Sequence, residues 1–144
     1  MKLKTLLFAI LTLGLFTMTG CKTDTKDFEG SWTIYGFSIN GTAQQIAVSE
    51  ITFEQQTANQ FSVTGNSGVN AFFGDVTING SKIKPSQNFG STKMAGSPEA
   101  MEYEDNFLKC LLGASKAKIR TEGGFEFLEI TNSKDKSTLT FIRK

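Results

Sequence analysis

Residues 97–113 read SPEAMEYEDNFLKCLLG, the one stretch beyond residue 27 whose apolar side chains recur at helical spacing. Ser97 can cap a helix, Pro98 suits the first helical position, and Gly113 is a typical terminator. The pattern therefore predicts one helix over about residues 98–112, packed against the rest of the domain. Its apolar stripe, with Phe107 at the edge, consists of Met101, Leu108, Leu111 and Leu112, of which the first three are expected to be largely buried.

On both sides of this helix the chain alternates between apolar and polar residues, which is the pattern of antiparallel strands with one buried face. Three of these runs follow the helix. The sequence therefore predicts a single α+β domain, built from a strand meander, one helix and three more strands. Turn residues separate the runs at positions 40–41, 65–66, 79–80, 123–124 and 132–133.

The first run alternates regularly, but a later run leaves its register open. Trp32, Ile34 and Gly36 share one parity in the first run. In residues 125–130 the apolar parity slips by one position after Phe127. That slip favours either a β-bulge or a strand that is covered on both faces.

The chain begins with residues that are typical of a bacterial lipoprotein signal peptide. Lys2 and Lys4 give a basic start, and the apolar run at residues 6–16 is too short for a stable transmembrane helix. The segment ends in Met-Thr-Gly-Cys, which resembles a lipobox and makes Cys21 the predicted site of lipid attachment. The alternative is an ordinary secretory leader followed by a coincidental cysteine.

This interpretation divides the chain into a signal peptide at residues 1–20, a lipidated tether at residues 21–27 and one domain at residues 28–144. Acyl chains on Cys21 would bury many methylene groups in a bilayer and so hold the protein there. Lys22, and not an aspartate, follows the cysteine. This resembles the pattern of lipoproteins that are sorted to the outer membrane. We therefore expect a protein anchored by lipid in the bacterial cell envelope, at the outer membrane.

The composition argues against several classes of function. The absence of histidine removes Ser-His and Cys-His nucleophiles and histidine-based zinc sites. Residues 21–144 hold thirteen basic and fourteen acidic side chains, so no basic field is available for nucleic acid. With Cys21 bound to lipid, Cys110 is the one remaining thiol, and no internal disulfide can form. We predict a monomeric domain that is not an enzyme, with no cofactor and no metal.

Residues 65–74 read GNSGVNAFFG and resemble the signature of the META domain, the family of the HslJ-like lipoproteins. That signature runs glycine, two residues, glycine, cysteine, asparagine, three residues, glycine. The matching positions, which are also candidate binding residues, are Gly65, Gly68, Asn70 and Gly74.

Other segments resemble the same family in the expected order. Residues 91–95 contain Thr92 and Met94 and resemble its threonine-methionine-alanine segment, and residues 101–112 resemble its helix. Two positions depart from the pattern, because Val69 and Gly96 stand where many members have a cysteine. Since the two cysteines of a probable pair are absent together, we expect the two segments to lie side by side.

The resemblance covers about residues 28–143 and implies a compact fold. Family members have a curved, mostly antiparallel β-sheet around one α-helix, similar to the cracked barrel of pilot lipoproteins. They are envelope or secreted proteins, often associated with heat shock or another stress response, and no catalytic activity defines the family. The resemblance thus implies a stress-related protein that binds a protein or envelope component through the corner at residues 65–74 and the 91–96 segment. The alternative is a pilot-like lipoprotein or a carrier that holds a lipid acyl chain inside the sheet.

Three groups of residues allow both a structural and a functional interpretation. The glycines of the signature either allow a ligand to approach or serve the turn itself, in which case Asn70 bonds its own turn. The phenylalanines either form an ordinary core or line a lipid-sized cavity. The acidic residues at positions 99, 102, 104 and 105 either form a solvated helix face, which the pattern favours, or a calcium or acid-base site.

Overall fold

In the computed structural model the described residues are 24–143, so the predicted signal peptide and Cys21 lie outside them. A short 3-10 helix at Thr25–Phe28 precedes the first strand, and the helix α1 spans Pro98–Leu112. Among the described residues, no helix has both the length and the apolar character needed to cross a bilayer. The strands are β1 (Gly30–Ile39), β2 (Thr42–Ala43), β3 (Glu50–Gln55), β4 (Gln60–Asn66), β5 (Ala71–Asn79), β6 (Lys82–Pro85), β7 (Gly90–Ser91), β8 (Lys116–Glu122), β9 (Phe125–Asn132) and β10 (Ser137–Arg143).

All strand pairs are antiparallel, and together they form a barrel-like sheet. The strands follow the order β10-β9-β8-β6-β5-β4-β3-β1-β2, and β1 also pairs with β10, which closes the sheet on itself. The weakest seam lies between β6 and β8, where Lys82 and Lys116 form the single register pair. The predicted α+β fold, with one helix before the last three strands, is confirmed.

The helix has the predicted bounds and caps. The Ser97 side chain accepts a hydrogen bond from the Ala100 N–H at 3.2 Å, and Pro98 occupies the first turn. Gly113 follows the last helical residue, and its N–H donates to the Lys109 carbonyl at 3.2 Å. These local signals therefore fix the length of α1.

The buried face of α1 differs from the predicted stripe. Phe107 is fully buried, and its ring centroid lies 5.8 Å from that of Phe72 and 6.1 Å from that of Phe141. Leu111 is buried as predicted, but Met101 and Leu108 are half-buried and Leu112 is exposed. The helix is rotated so that aromatic residues, which bury more apolar surface, face the inside of the sheet.

β1 contains a bulge that the sequence does not predict, and β9 resolves the register that the sequence leaves open. In β1 a bulge lies between Ile34 and Gly36, so Tyr35 points outwards and Phe37 is buried. In β9 the pairing with both neighbours is continuous, and Phe127 and Leu128 are buried on opposite faces. The strand is therefore covered on both faces, which is one of the two predicted alternatives.

One predicted turn is wrong. Gly65 and Asn66 lie at the end of β4, where they pair with β3 and β5. The turn follows at residues 67–70, because Gly68 and not Gly65 has the positive φ that the turn requires.

The end of the predicted tether is folded onto the domain. The 3-10 helix at Thr25–Phe28 is capped by Asp24, and Phe28 is fully buried against the rings of Phe53 and Phe61. The Arg143 guanidinium donates to the Asp27 carbonyl at 2.6 Å. Residues 24–27 of the predicted tether therefore belong to the domain.

Candidate functional site

The corner between β4 and β5 contains the signature residues. Gly68 has a φ of +111°, a backbone conformation that residues with a side chain rarely adopt. Its N–H donates to Asn66 Oδ1 at 2.7 Å, and the Ser67 N–H donates to the Asn70 carbonyl at 2.9 Å. These bonds close a tight turn, which by itself accounts for Gly68.

The two outer glycines of the signature lie against aromatic rings of the same chain. A Cβ atom at Gly65 would lie 2.5 Å from the Phe72 ring, and one at Gly74 would lie 2.5 Å from the Phe89 ring. Both distances are far below ordinary contact, so a larger residue would displace the ring. At Gly65 the Cβ would also clash with the Glu50 carbonyl oxygen. Close approach therefore explains both glycines, and the groups that approach belong to this chain.

Asn70 is 1% exposed, and its side chain makes four hydrogen bonds. Oδ1 accepts from the Met94 N–H at 2.6 Å and from the Thr92 hydroxyl at 2.8 Å. Nδ2 donates to Glu104 Oε1 at 2.6 Å and to the Met94 carbonyl at 3.1 Å. Asn70 therefore bonds its own turn through its carbonyl, as the structural interpretation predicted, but its side chain joins the corner to the 91–96 segment and to α1.

Glu104 is 4% exposed, although it is charged and lies on the helix. Its Oε2 accepts from the Asn70 N–H at 2.7 Å and from the Ser67 hydroxyl at 2.8 Å, in addition to the Asn70 amide on Oε1. Among the described residues, no lysine or arginine forms an ion pair with it. Neutral donors alone therefore stabilise the buried charge, and we call Ser67, Asn70 and Glu104 the Asn70–Glu104 network.

The hydrogen bonds of this network determine the protonation state of Glu104. Burial raises the pKa of Glu104, but bonds from the Asn70 side chain and N–H, from Ser67 and from the Val69 N–H outweigh burial and lower the pKa below its ordinary value. The carboxylate is therefore ionised at neutral pH. Both of its oxygens are occupied by donors, so it is poorly placed to transfer protons or to bind a cation.

The sequence interpretation placed Glu104 on a solvated helix face, and the structure contradicts this. Glu99, Glu102 and Asp105 are exposed as predicted. Glu104, however, precedes Phe107 by three positions and Leu111 by seven, which is the spacing of one helix face. That spacing was the signal that could have identified it. Among the described residues, no group of three or more carboxylate or thiol side chains could hold a metal ion.

The two segments that carry the recognisable residues lie side by side, as predicted. A Cβ atom placed on Gly96 would lie 2.7 Å from Val69 Cγ2. Because Cγ2 is about 1.5 Å from its own Cβ, the two Cβ positions are at most about 4 Å apart, which is the separation found in disulfides. Contact between Val69 and Gly96 therefore replaces the covalent bridge that the resemblance implies for other members.

The candidate site residues differ in how much of their surface is accessible. Asn70 and Ser67 are buried, whereas Thr92, Lys93 and Met94 are exposed, and Met94 is 59% exposed. Thr92 bonds the Asn70 side chain through its hydroxyl, and Met94 does so through its backbone. The site therefore consists of a buried polar network under an exposed segment.

The interior of the sheet is occupied by aromatic side chains that contact one another. Phe53 and Phe61 have ring centroids 6.2 Å apart, and Tyr103 and Phe107 have centroids 5.9 Å apart. An apolar groove of about 370 Å³ lies instead at the surface, between α1 and residues 89–93. Most of the phenylalanines thus form a core, as the structural interpretation predicted, but Phe125, which was expected in that core, is exposed.

The comparisons with known proteins agree with this architecture. A solution NMR structure of a protein from Burkholderia xenovorans superimposes with a TM-score of 0.68 at 21% identity, over 83% of this chain and 86% of that one. This similarity shows the fold. No protein with a curated functional description matches the sequence. The family model of the META domain matches residues 17–144, and the chain therefore belongs to the META domain family.

Proposed function

We propose that this protein is a non-enzymatic, lipid-anchored protein of the bacterial cell envelope that binds a protein or envelope component in a stress response. The observation that carries the binding proposal is the 91–96 segment. It has almost no regular secondary structure, yet Asn70 bonds both the N–H and the carbonyl of Met94. A loop that is held rigid before binding loses little conformational entropy on binding, which favours recognition.

The side chains that a partner would contact on this segment are Lys93 and Met94, both of which are exposed. Lys93 Nζ has one hydrogen bond, to the Ser91 hydroxyl at 3.2 Å, and so remains available to an acidic group. Asn70 supports this surface from beneath and does not belong to it. The carrier alternative has less support, because the phenylalanines that would line an internal cavity contact one another.

We expect Lys93→Glu/Met94→Ser to abolish the capture of an envelope partner while the domain stays folded. Both side chains are exposed, so the substitutions should change the free energy of unfolding by less than about 0.5 kcal/mol each. The measurement is a pull-down from envelope extracts with the purified protein. Val48→Ser/Lys134→Glu makes the same charge reversal and also replaces an apolar side chain by serine, at other exposed positions, and should retain the partner. Equal capture by both variants would contradict a binding role for the 91–96 segment.

The lipid anchor is proposed from Lys2, Lys4, the apolar run and the Met-Thr-Gly-Cys sequence that ends at Cys21. We expect Cys21→Ser to move the protein from the membrane fraction to the soluble fraction, because the acyl chains that would hold it in the bilayer are lost. Immunoblots of separated fractions measure this change, with the parent chain as the control. A Cys21→Ser protein that is processed normally and still sediments with membranes would contradict the anchor.

A further inference from the structure

Four exposed lysines lie on the outer face of the seam between β6 and β8. Ile83 and Ala117 point inwards, so the alternating neighbours point outwards. Lys82 is directly opposite Lys116 in the register of the two strands. We call the four residues the lysine seam: Lys82, Lys84, Lys116 and Lys118.

The lysine seam carries uncompensated charge. Among the described residues Lys109, Arg120 and Arg143 form ion pairs, whereas the remaining lysines form none. The seam differs from the others because four such lysines lie together on two neighbouring strands. None of the four seam lysines forms an ion pair with a described residue. Glu129 lies opposite Lys118 in the register, but it bonds Arg120. Like charges directly opposite each other destabilise a sheet, so the fold retains Lys82 and Lys116 at a cost.

The seam begins at the end of the barrel against which the N-terminal segment packs. Phe28 packs on Phe61, and Asn59, two residues earlier, donates to Asn79 at 3.0 Å. Asn79 in turn pairs with Lys82. Phe28 and Lys82 therefore lie at the same end of the barrel, connected through residues 59–61 and Asn79.

The distance from the lipid site to the domain is short. Asp24, the first described residue, is three positions after Cys21 in the sequence. Three extended residues span at most about 11 Å, which is close to the Debye length at physiological ionic strength. An anchored domain therefore lies against the headgroups, and the face with unpaired positive charge is complementary to an anionic surface.

We propose that the lysine seam lies against anionic phospholipid headgroups and orients the domain on the membrane. The proposal rests on the proposed function in one respect, because the proposed lipid anchor is what holds the domain close to the membrane. The remaining neighbours of the seam are small or polar, such as Thr77, Ser81 and Thr131, and leave the lysine side chains accessible. The orientation leaves β6 and β8 at the bilayer.

The test uses the unlipidated chain from residue 22, which keeps every described strand and the helix and does not depend on the anchor. It is mixed with vesicles of phosphatidylcholine alone, or of phosphatidylcholine and phosphatidylglycerol in equal parts, and sedimented. We expect binding to the anionic vesicles only, lost on raising the ionic strength. Lys82→Gln/Lys116→Gln should lower the partition coefficient about 30-fold.

The matched control, Lys134→Gln/Lys136→Gln, removes two exposed charges outside both the seam and the N-terminal segment and should change the partition coefficient less than about threefold. Urea unfolding separates binding from folding, because the seam variant should be at least as stable as the parent chain. Equal losses in both variants, equal binding to both kinds of vesicle, or binding to the polyanion heparin without binding to anionic vesicles would each overturn the proposal.

Discussion

Asn70→Ala is expected to lower the free energy of unfolding by about 3 to 5 kcal/mol, because it leaves a buried carboxylate without one of its donors. The variant removes four hydrogen bonds at once and also releases both polar groups of Met94. Urea denaturation at neutral pH measures the change. Asn88→Ala is the matched control, since Asn88 is exposed in a loop, and it should change stability by less than about 0.5 kcal/mol. Equal effects of the two variants would show that the network contributes nothing specific.

The same network gives stability a defined dependence on pH. The pKa of Glu104 is lower in the folded protein than its ordinary value of 4.5. The stabilisation is therefore fully present above that value and is lost as the pH falls through the folded pKa. In Asn70→Asp two carboxylates would touch, which raises the folded pKa of the pair. From about pH 7 to pH 4 this variant should become more stable relative to the parent chain, and a parallel pH dependence would contradict this account.

We expect Phe107→Ala to cost about 3 to 5 kcal/mol of unfolding free energy, and Leu108→Ala only about 1 to 2 kcal/mol. Phe107 is fully buried among Phe72, Tyr103 and Phe141, whereas the neighbouring Leu108 is half-buried. Urea denaturation of both variants tests which side chain forms the centre of the helix face. A larger loss of unfolding free energy in Leu108→Ala than in Phe107→Ala would contradict this orientation and would favour the predicted one, in which the leucine stripe is buried.

Local signals in the sequence predict much of this fold. The bounds of α1 follow from Ser97, Pro98 and Gly113, which act within a few residues of the helix ends. The turns at residues 40–41 and 123–124 follow from residues that tolerate positive φ. Nothing local predicts the bulge at Tyr35, because it arises from the pairing of β1 with β10, whose residues are about one hundred positions away.

The candidate site shows the same division between local and distant causes. Gly68 is predictable because its turn closes within four residues. For Glu104 the helical spacing indicates the buried face, but its partners are not predictable, because its donors on Ser67 and Asn70 lie 37 and 34 positions earlier in the chain. A charged residue on a helix is expected in solvent unless a distant segment satisfies it. Here the corner of the sheet supplies the donors.

The structure assigns a structural role to each residue of the family signature in this chain. Gly65 and Gly74 make room for aromatic rings, Gly68 allows the turn, and Asn70 joins three parts of the chain. The segment at 91–96 is held by hydrogen bonds and by contact between Val69 and Gly96 instead of a disulfide. The signature thus builds the surface at Lys93 and Met94 without being part of it.

The central claim is that Asn70 and Glu104 act as one unit, and a double-mutant cycle with Asn70→Asp and Glu104→Gln measures this most directly. Each single variant places two like groups in contact, two acceptors in the first and two donors in the second. The double variant restores a donor-acceptor pair in reversed order. We predict that at neutral pH the double variant is more stable than either single variant, with a coupling energy of about 2 kcal/mol or more. Losses that simply add in the double variant would contradict the claim.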